Sequence, residues 1–174
     1  ERQTTPFLDS LVREGILFQN SHSQASETRG SSASLITSLL PGAHGALHVE
    51  DALPDGVTTL FEHLKPHGYR TAVFSGNRVV SSLFNYGQGV DVFVDDRQRK
   101  PPERTLLYRT IISLGFPHAL LRRLIEMGVP QGMNDRVVQD LWVVRHFQHW
   151  LTTLDEKPFC AYVHLFGAHA PYLP

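Results

Sequence analysis

Residues 57–94 read VTTLFEHLKPHGYRTAVFSGNRVVSSLFNYGQGVDVFV. Leu60, Phe61 and Leu64 recur at helical spacing and Gly68 stops them, which predicts a helix over Val57–His67. Tyr69–Ser75 then has the aromatic and β-branched content of a buried strand, and Val90–Val94 repeats that character after the turn-rich NYGQG. A helix, a strand and a second strand reached by a non-hairpin connection predict an α/β fold with crossover connections.

The same grammar extends in both directions. Towards the N-terminus, Thr5 as cap, Pro6 at the first helical position and Gly15 as stop frame a helix carrying Phe7, Leu8, Leu11 and Val12. Ile16–Asn20 is short, apolar and bounded by polar residues, which predicts a strand. Leu35, Ile36, Leu39 and Leu40 predict a helix that runs through Leu40 and ends at Pro41-Gly42, and residues 42–56 read as loop. Towards the C-terminus, Val137, Leu141, Val144, Phe147 and Leu151 predict a helix over Val137–Leu154, capped by Asn134 or Asp135. Pro158–Phe166 reads as a fully buried strand. Between the halves, the basic RQRKPPER opens residues 97–133, which read as a helical insertion broken near Gly115–Pro117.

Composition narrows the function. The 174 residues support one hydrophobic core rather than two. Sixteen Lys and Arg against 17 Asp and Glu give a net charge of −1, which argues against nucleic acid as a partner. The single Cys160 rules out a disulfide framework or a cysteine metal site within the chain. No apolar stretch approaches the roughly 18 to 20 residues of a membrane helix, so no membrane segment is expected here.

In an open α/β sheet, chemistry collects where strands end and helices begin. Residues 24–34, QASETRGSSAS, place hydroxyls before a helix whose N-terminal N–H groups and dipole favour an anion such as a sulfate or phosphate ester. By spacing alone Ser26, Thr28 or Ser31 serves equally well as a simple helix cap. At the other candidate edge, His169 follows the 158–166 strand, and a loop histidine titrating near neutrality suits proton donation to an ester oxygen.

Beyond spacing, several segments resemble the sulfatase branch of the alkaline phosphatase superfamily. TTPFLDSLVREGILFQNSHSQAS is similar to that family's approach to its nucleophile, and SETRGSSASLITS aligns with its Cys/Ser-x-Pro-Ser-Arg-Ala-Ser-Leu-Leu-Thr-Gly motif. LLPGAHGA, GYRTAVFSGN, GQGVDVFVDD and WLTTLDEKPFCAYVHLFGAHAPYLP each have a counterpart in the family. The resemblance covers residues 3–96 and 134–174. It implies an alkaline phosphatase-like sandwich, a mostly parallel sheet between helices, of which this chain holds part.

The resemblance assigns Thr28 to the nucleophile, Gly30 to the Pro, Ser31 to the substrate-binding Ser and Ser32 to the Arg. A Thr is not a precursor of formylglycine, so Thr28 resembles the phosphate-directed members, in which a metal-bound alkoxide attacks phosphorus. Asn77 and Arg78 stand where arylsulfatases carry a substrate-binding Lys and His, and His169 matches the His on the leaving or non-bridging oxygen. Gly167 and Ala168 replace the family's Asp-Pro. The activity implied is metal-dependent hydrolysis of a sulfuric or phosphoric ester of a small molecule, glycan or lipid. Alternatives are a phosphoethanolamine-type phosphotransferase and an inactive binding protein of the same fold. Calcium, or zinc or manganese, is the implied metal, with Thr28 one ligand and carboxylates expected before residue 1 and after residue 174. The 174 residues alone are therefore expected to hold no metal tightly and to turn over slowly or not at all. Family resemblance also implies a periplasmic or other extracytoplasmic location.

Overall fold

The computed structural model describes residues 5–95, 135–167 and 169. In chain order these form α1 (Pro6–Leu11), α2 (Thr28–Thr37), α3 (Pro41–His44), α4 (Leu60–Leu64), β1 (Arg70–Ser75), β2 (Val92–Asp95), α5 (Asp135–Leu151) and β3 (Phe159–His164). The expected insertion at 97–133 lies outside the described residues.

The three strands form one parallel sheet in the order β2-β1-β3. β1 is the central strand, which is why five of its six residues are buried and why YRTAVFS lacks a polar face. Successive side chains of β1 enter different cores. Val73 packs with Ala33 and Ile36 of α2, Phe61 of α4, and Tyr86. Ala72 and Phe74 face α5, where Phe74 lies 5.5 Å from the Phe147 ring and 5.7 Å from Trp150. The sheet is thus sandwiched between α2 and α4 on one side and α5 on the other.

Helix α4 shows how local sequence locks this frame. Thr59 Oγ1 accepts from the Glu62 N–H at 3.2 Å while Glu62 Oε2 accepts from the Thr59 N–H at 2.8 Å, a capping box. Thr59 also donates to the Gln88 carbonyl, and Thr71 Oγ1 to that of Gly89, so the turn before β2 is bonded to both α4 and β1. Gly89 has φ +74°, and a Cβ there would lie 2.3 Å from the Glu62 nitrogen.

Several expectations need correction. The strand expected to be fully buried over Pro158–Phe166 is β3, an edge strand of the described sheet, with Phe159 exposed and Cys160–His164 half-buried. Ile16–Asn20 is not a strand: no neighbour pairs with it among the described residues, and Ile16 and Phe18 are 85% and 76% exposed. A strand needs a partner for its backbone groups, and apolar composition does not supply one. Helix α2 ends at Thr37 rather than Leu40, because Ser38 turns to the left-handed region at φ 58°. The loop after it contains α3, whose Pro41 occupies the first turn. His44, within the LLPGAHGA segment, is fully buried; its Nε2 lies 3.0 Å from Ser34 Oγ and its Nδ1 accepts from the Ala46 N–H.

Candidate active site

β1 and β3 run parallel with Ser75 opposite His164, so the chain leaves both strands at the same edge of the sheet. Their exit segments are tied at once by the Gly76 N–H donating to the His164 carbonyl at 3.1 Å. The N-terminus of α2 approaches the same edge. Between them lies a cleft of ≈ 330 Å³ lined by Ser26, Glu27, Thr28, Arg29, Asn77 and His169, with Val49, Val79 and Phe166 completing its wall. Thr28, Asn77 and His169, separated by 49 and 92 residues in sequence, meet in one cavity.

Each brings defined chemistry. Thr28 is the first residue of α2, beyond Glu27, and no side chain caps that end. Along α2 the hydroxyls of Ser31, Ser32, Ser34 and Thr37 are all hydrogen-bonded within the protein. The Thr28 hydroxyl has no hydrogen bond among the described residues, so it is available to a ligand. Asn77 sits in a turn in which its own N–H donates to Ser75 Oγ and its Oδ1 accepts from the Val79 N–H. With Oδ1 engaged, the Asn77 Nδ2 group is left as a donor for an ester oxygen. The His169 ring stacks on Phe166 with centroids 4.8 Å apart.

Gln139 and Asp140 of α5 hold the two loops, a role that no local pattern announced. Asp140 Oδ1 and Oδ2 accept from the N–H groups of Phe166 and Gly167, both at 2.6 Å. Gln139 Nε2 donates to the Gly76 carbonyl, one residue before Asn77. A Cβ at position 167 would stand 2.5 Å from Asp140 Oδ2, so a larger residue there would push that carboxylate oxygen out of its place in the clamp. Asp140→Ala is expected to speed amide exchange at Phe166 and Gly167 about 10- to 100-fold, from loss of two charge-assisted hydrogen bonds, while β1 amides stay protected. Hydrogen exchange followed by NMR reads this directly, and unchanged exchange at both amides would remove Asp140 as the clamp.

The remaining predicted residues lie apart. Ser31 donates to the Glu27 carbonyl and lines a different, larger cleft of ≈ 720 Å³ with Ser32, Leu35 and Tyr162. That second cleft contains none of Thr28, Asn77 or His169, so its size does not make it the site of chemistry. Arg78 is exposed and is not among the residues lining either cleft. Ser32, where the motif carries Arg, shares a hydrogen bond with the Tyr162 hydroxyl at 3.0 Å. His164 is half-buried with Nδ1 unpartnered among the described residues, and burial lowers its pKa.

Arg29, which sequence reasoning passed over, also lines the cleft. It is 1% exposed, with Nη1 donating to the Asp51 carbonyl at 2.7 Å and its guanidinium carbon 3.4 Å from the centre of the Phe84 ring. Burial pushes its pKa down, opposed by Tyr86, Asp51 and Glu50. As to a metal, among the described residues no group of three or more His, Cys, Asp or Glu is placed to hold one. Thr28 alone does not satisfy a hard cation that takes several oxygen ligands, so the residues described do not by themselves make a cation site. No helix among them is long and apolar enough to cross a membrane.

Comparison with known proteins bears on the family and the fold. The family model described as Sulfatase matches residues 1–174. The structure is similar to that of the phosphonate monoester hydrolase of Agrobacterium radiobacter, with a TM-score of 0.65 and 19% sequence identity. The match covers 97% of this chain and 37% of that one, so the chain spans little more than a third of that hydrolase. At this identity the likeness concerns the fold, which is part of an alkaline phosphatase-like α/β sandwich. No curated protein matches the chain.

Proposed function

Because the chain belongs to the sulfatase family, we propose that it carries the nucleophile of an ester hydrolase acting on sulfuric or phosphoric esters, with Thr28 attacking sulfur or phosphorus. The observation that carries this reading is the convergence of an unengaged hydroxyl at a helix N-terminus, an amide donor and a histidine on one cleft. Thr28 Oγ forms a bond to the central atom as its proton passes to solvent. The bond from that atom to the leaving oxygen breaks, and His169 in its protonated form gives its proton to that oxygen. Asn77 Nδ2 and the N–H groups of the first turn of α2 bind the non-bridging oxygens, where negative charge is concentrated. Water then attacks the central atom and gives a proton to His169, the bond from that atom to Thr28 Oγ breaks, and Thr28 regains from solvent the proton it lost, returning to a hydroxyl. We place the ligands of any divalent cation in sequence outside the described residues.

The test is turnover of nitrophenyl sulfate, nitrophenyl phosphate and bis-nitrophenyl phosphate by the intact protein supplied with calcium, zinc or manganese. Hydrolysis of none of them under any of these metals would sink the proposal. For His169 the expected signature is selective. His169→Ala should lower kcat about 10²- to 10⁴-fold for alkyl esters, whose leaving oxygen needs a proton, and far less for nitrophenyl esters, which depart as anions. Equal losses on both ester types would exclude proton donation by His169.

A further inference from the structure

His44 is 0% exposed and closes α3 against α2. The Ala46 N–H donates to its Nδ1 at 3.1 Å, so Nδ1 carries no proton. A neutral imidazole holds one proton on one of its two nitrogens. That proton is therefore on Nε2, which lies 3.0 Å from Ser34 Oγ and donates to it. The Gly30 carbonyl bears on the same ring and favours a proton there. One ring thus ties the first turn of α2 at Gly30, its middle at Ser34 and the turn after α3 at Ala46.

This arrangement admits the neutral ring and not the charged one. A second proton would go on Nδ1 and set one N–H donor against another, that of Ala46, in a buried site where neither reaches water. No neighbour offsets the charge. The ionisable side chains on the elements packed around the ring are Glu27 and Arg29 of α2, His48, Glu50 and Asp51 after α3, and Tyr86, and none of them acts on it. Arg29 is turned to Phe84 and the Asp51 carbonyl, the Asp51 carboxylate to the N–H groups of Leu47 and His48, and the Tyr86 hydroxyl to the Arg29 carbonyl. Burial accordingly lowers the His44 pKa. We propose that neutral His44 is a positioning residue for Thr28: it fixes α2 against α3, and proton uptake at Nδ1 breaks the Ala46 bond and lets the first turn of α2 shift. The proposal rests on reading Thr28 as the nucleophile. It adds an acid sensitivity of the site that is separate from His169.

Imidazole nitrogen NMR of the 174-residue chain reads the ring directly. At neutral pH the His44 Nδ1 is expected to resonate as an unprotonated nitrogen and Nε2 as a protonated one, and the ring should titrate below the ordinary value of about 6.5. The stability that neutral His44 confers is complete above that value and is lost as the pH falls from there through the lowered folded value. Protection of the Ala46 amide against hydrogen exchange should therefore drop by up to about tenfold between about pH 7.5 and about pH 5.5, while the Val73 amide of β1 keeps its own. His44→Asn offers Ala46 an oxygen acceptor that does not titrate, and should abolish the drop. A proton on Nδ1 at neutral pH, Ala46 protection that does not change over this range, or an equal drop at Val73 would overturn the proposal. Should His44→Asn fail to fold, the ring and the two amides of the parent decide the matter alone. In the intact protein, the rate of nitrophenol release in the first turnover, taken as a ratio of parent to His44→Asn, is expected to fall with the midpoint of the ring titration. A ratio that stays level through that midpoint would overturn the positioning role and leave Thr28 as nucleophile untouched. Release that survives Thr28→Ala would end both.

Discussion

Thr28→Ala in the intact protein is expected to lower kcat for ester hydrolysis by about 10⁴-fold or more, the scale on which hydrolases lose activity when the attacking atom is deleted. That corresponds to about 5 kcal/mol of activation free energy, far more than the change does to the fold. The Thr28 side chain is only half-buried and its hydroxyl makes no hydrogen bond among the described residues, so stability should change by less than about 1 kcal/mol. Thr28→Ser keeps a hydroxyl at the same place on α2 and should retain most of the rate. The comparison of the two variants distinguishes chemistry from packing. Trapping of a phosphorylated or sulfated Thr28 by mass spectrometry in a slowed reaction would be direct support. Full activity in Thr28→Ala would exclude it as the nucleophile.

Gly89→Ala is expected to be the most damaging single-methyl change in the described fold. Three costs fall on one atom. The new Cβ would stand 2.3 Å from the Glu62 nitrogen, too close for any real contact. The φ of +74° disfavours an L side chain by about 1 to 2 kcal/mol. Relief by displacing α4 would break the Thr59–Glu62 capping box, about 1 kcal/mol, and overpacking adds about 1 to 3 kcal/mol. Together these predict a loss of about 3 to 6 kcal/mol, read as a melting temperature lower by about 6 to 24 °C in a chain of this length. Thermal melting followed by circular dichroism measures it, and a shift below a few degrees would mean that the turn before β2 is not packed as described.

Physical range explains which features were readable in the sequence. β1, β3 and α5 were legible because their signals are local: apolar runs flanked by turn residues, and a sustained 3.6-residue period. Their observed ends lie within a few residues of the expected ones. The meeting of Thr28, Asn77 and His169 came from motif resemblance rather than from spacing, and the strand register supplies the physical reason for it. Ile16–Asn20 misled because strand formation depends on a neighbour, which no pattern within the segment reports. Arg29 and Asp140 were passed over for a related reason. Their partners, Asp51 and the Phe166–Gly167 backbone, lie 22 and 26 to 27 residues away. Nothing about an arginine between Thr28 and Gly30, or an aspartate in an amphipathic helix, distinguishes it from a solvated surface charge.

The pairing of Ser75 with His164 has a consequence for how such a cleft can vary. Two parallel strands can be offset only in whole residues, each step carrying one strand end about 3.3 Å past the other. A single step also turns every side chain of the moved strand to the opposite face, taking Ala161 and Val163 away from α5. The separation of the two exit loops is therefore a ratchet and not a sliding scale. Graded adjustment to a wider or narrower ester has to come from the loop side chains, while the strands fix the span those side chains must cross.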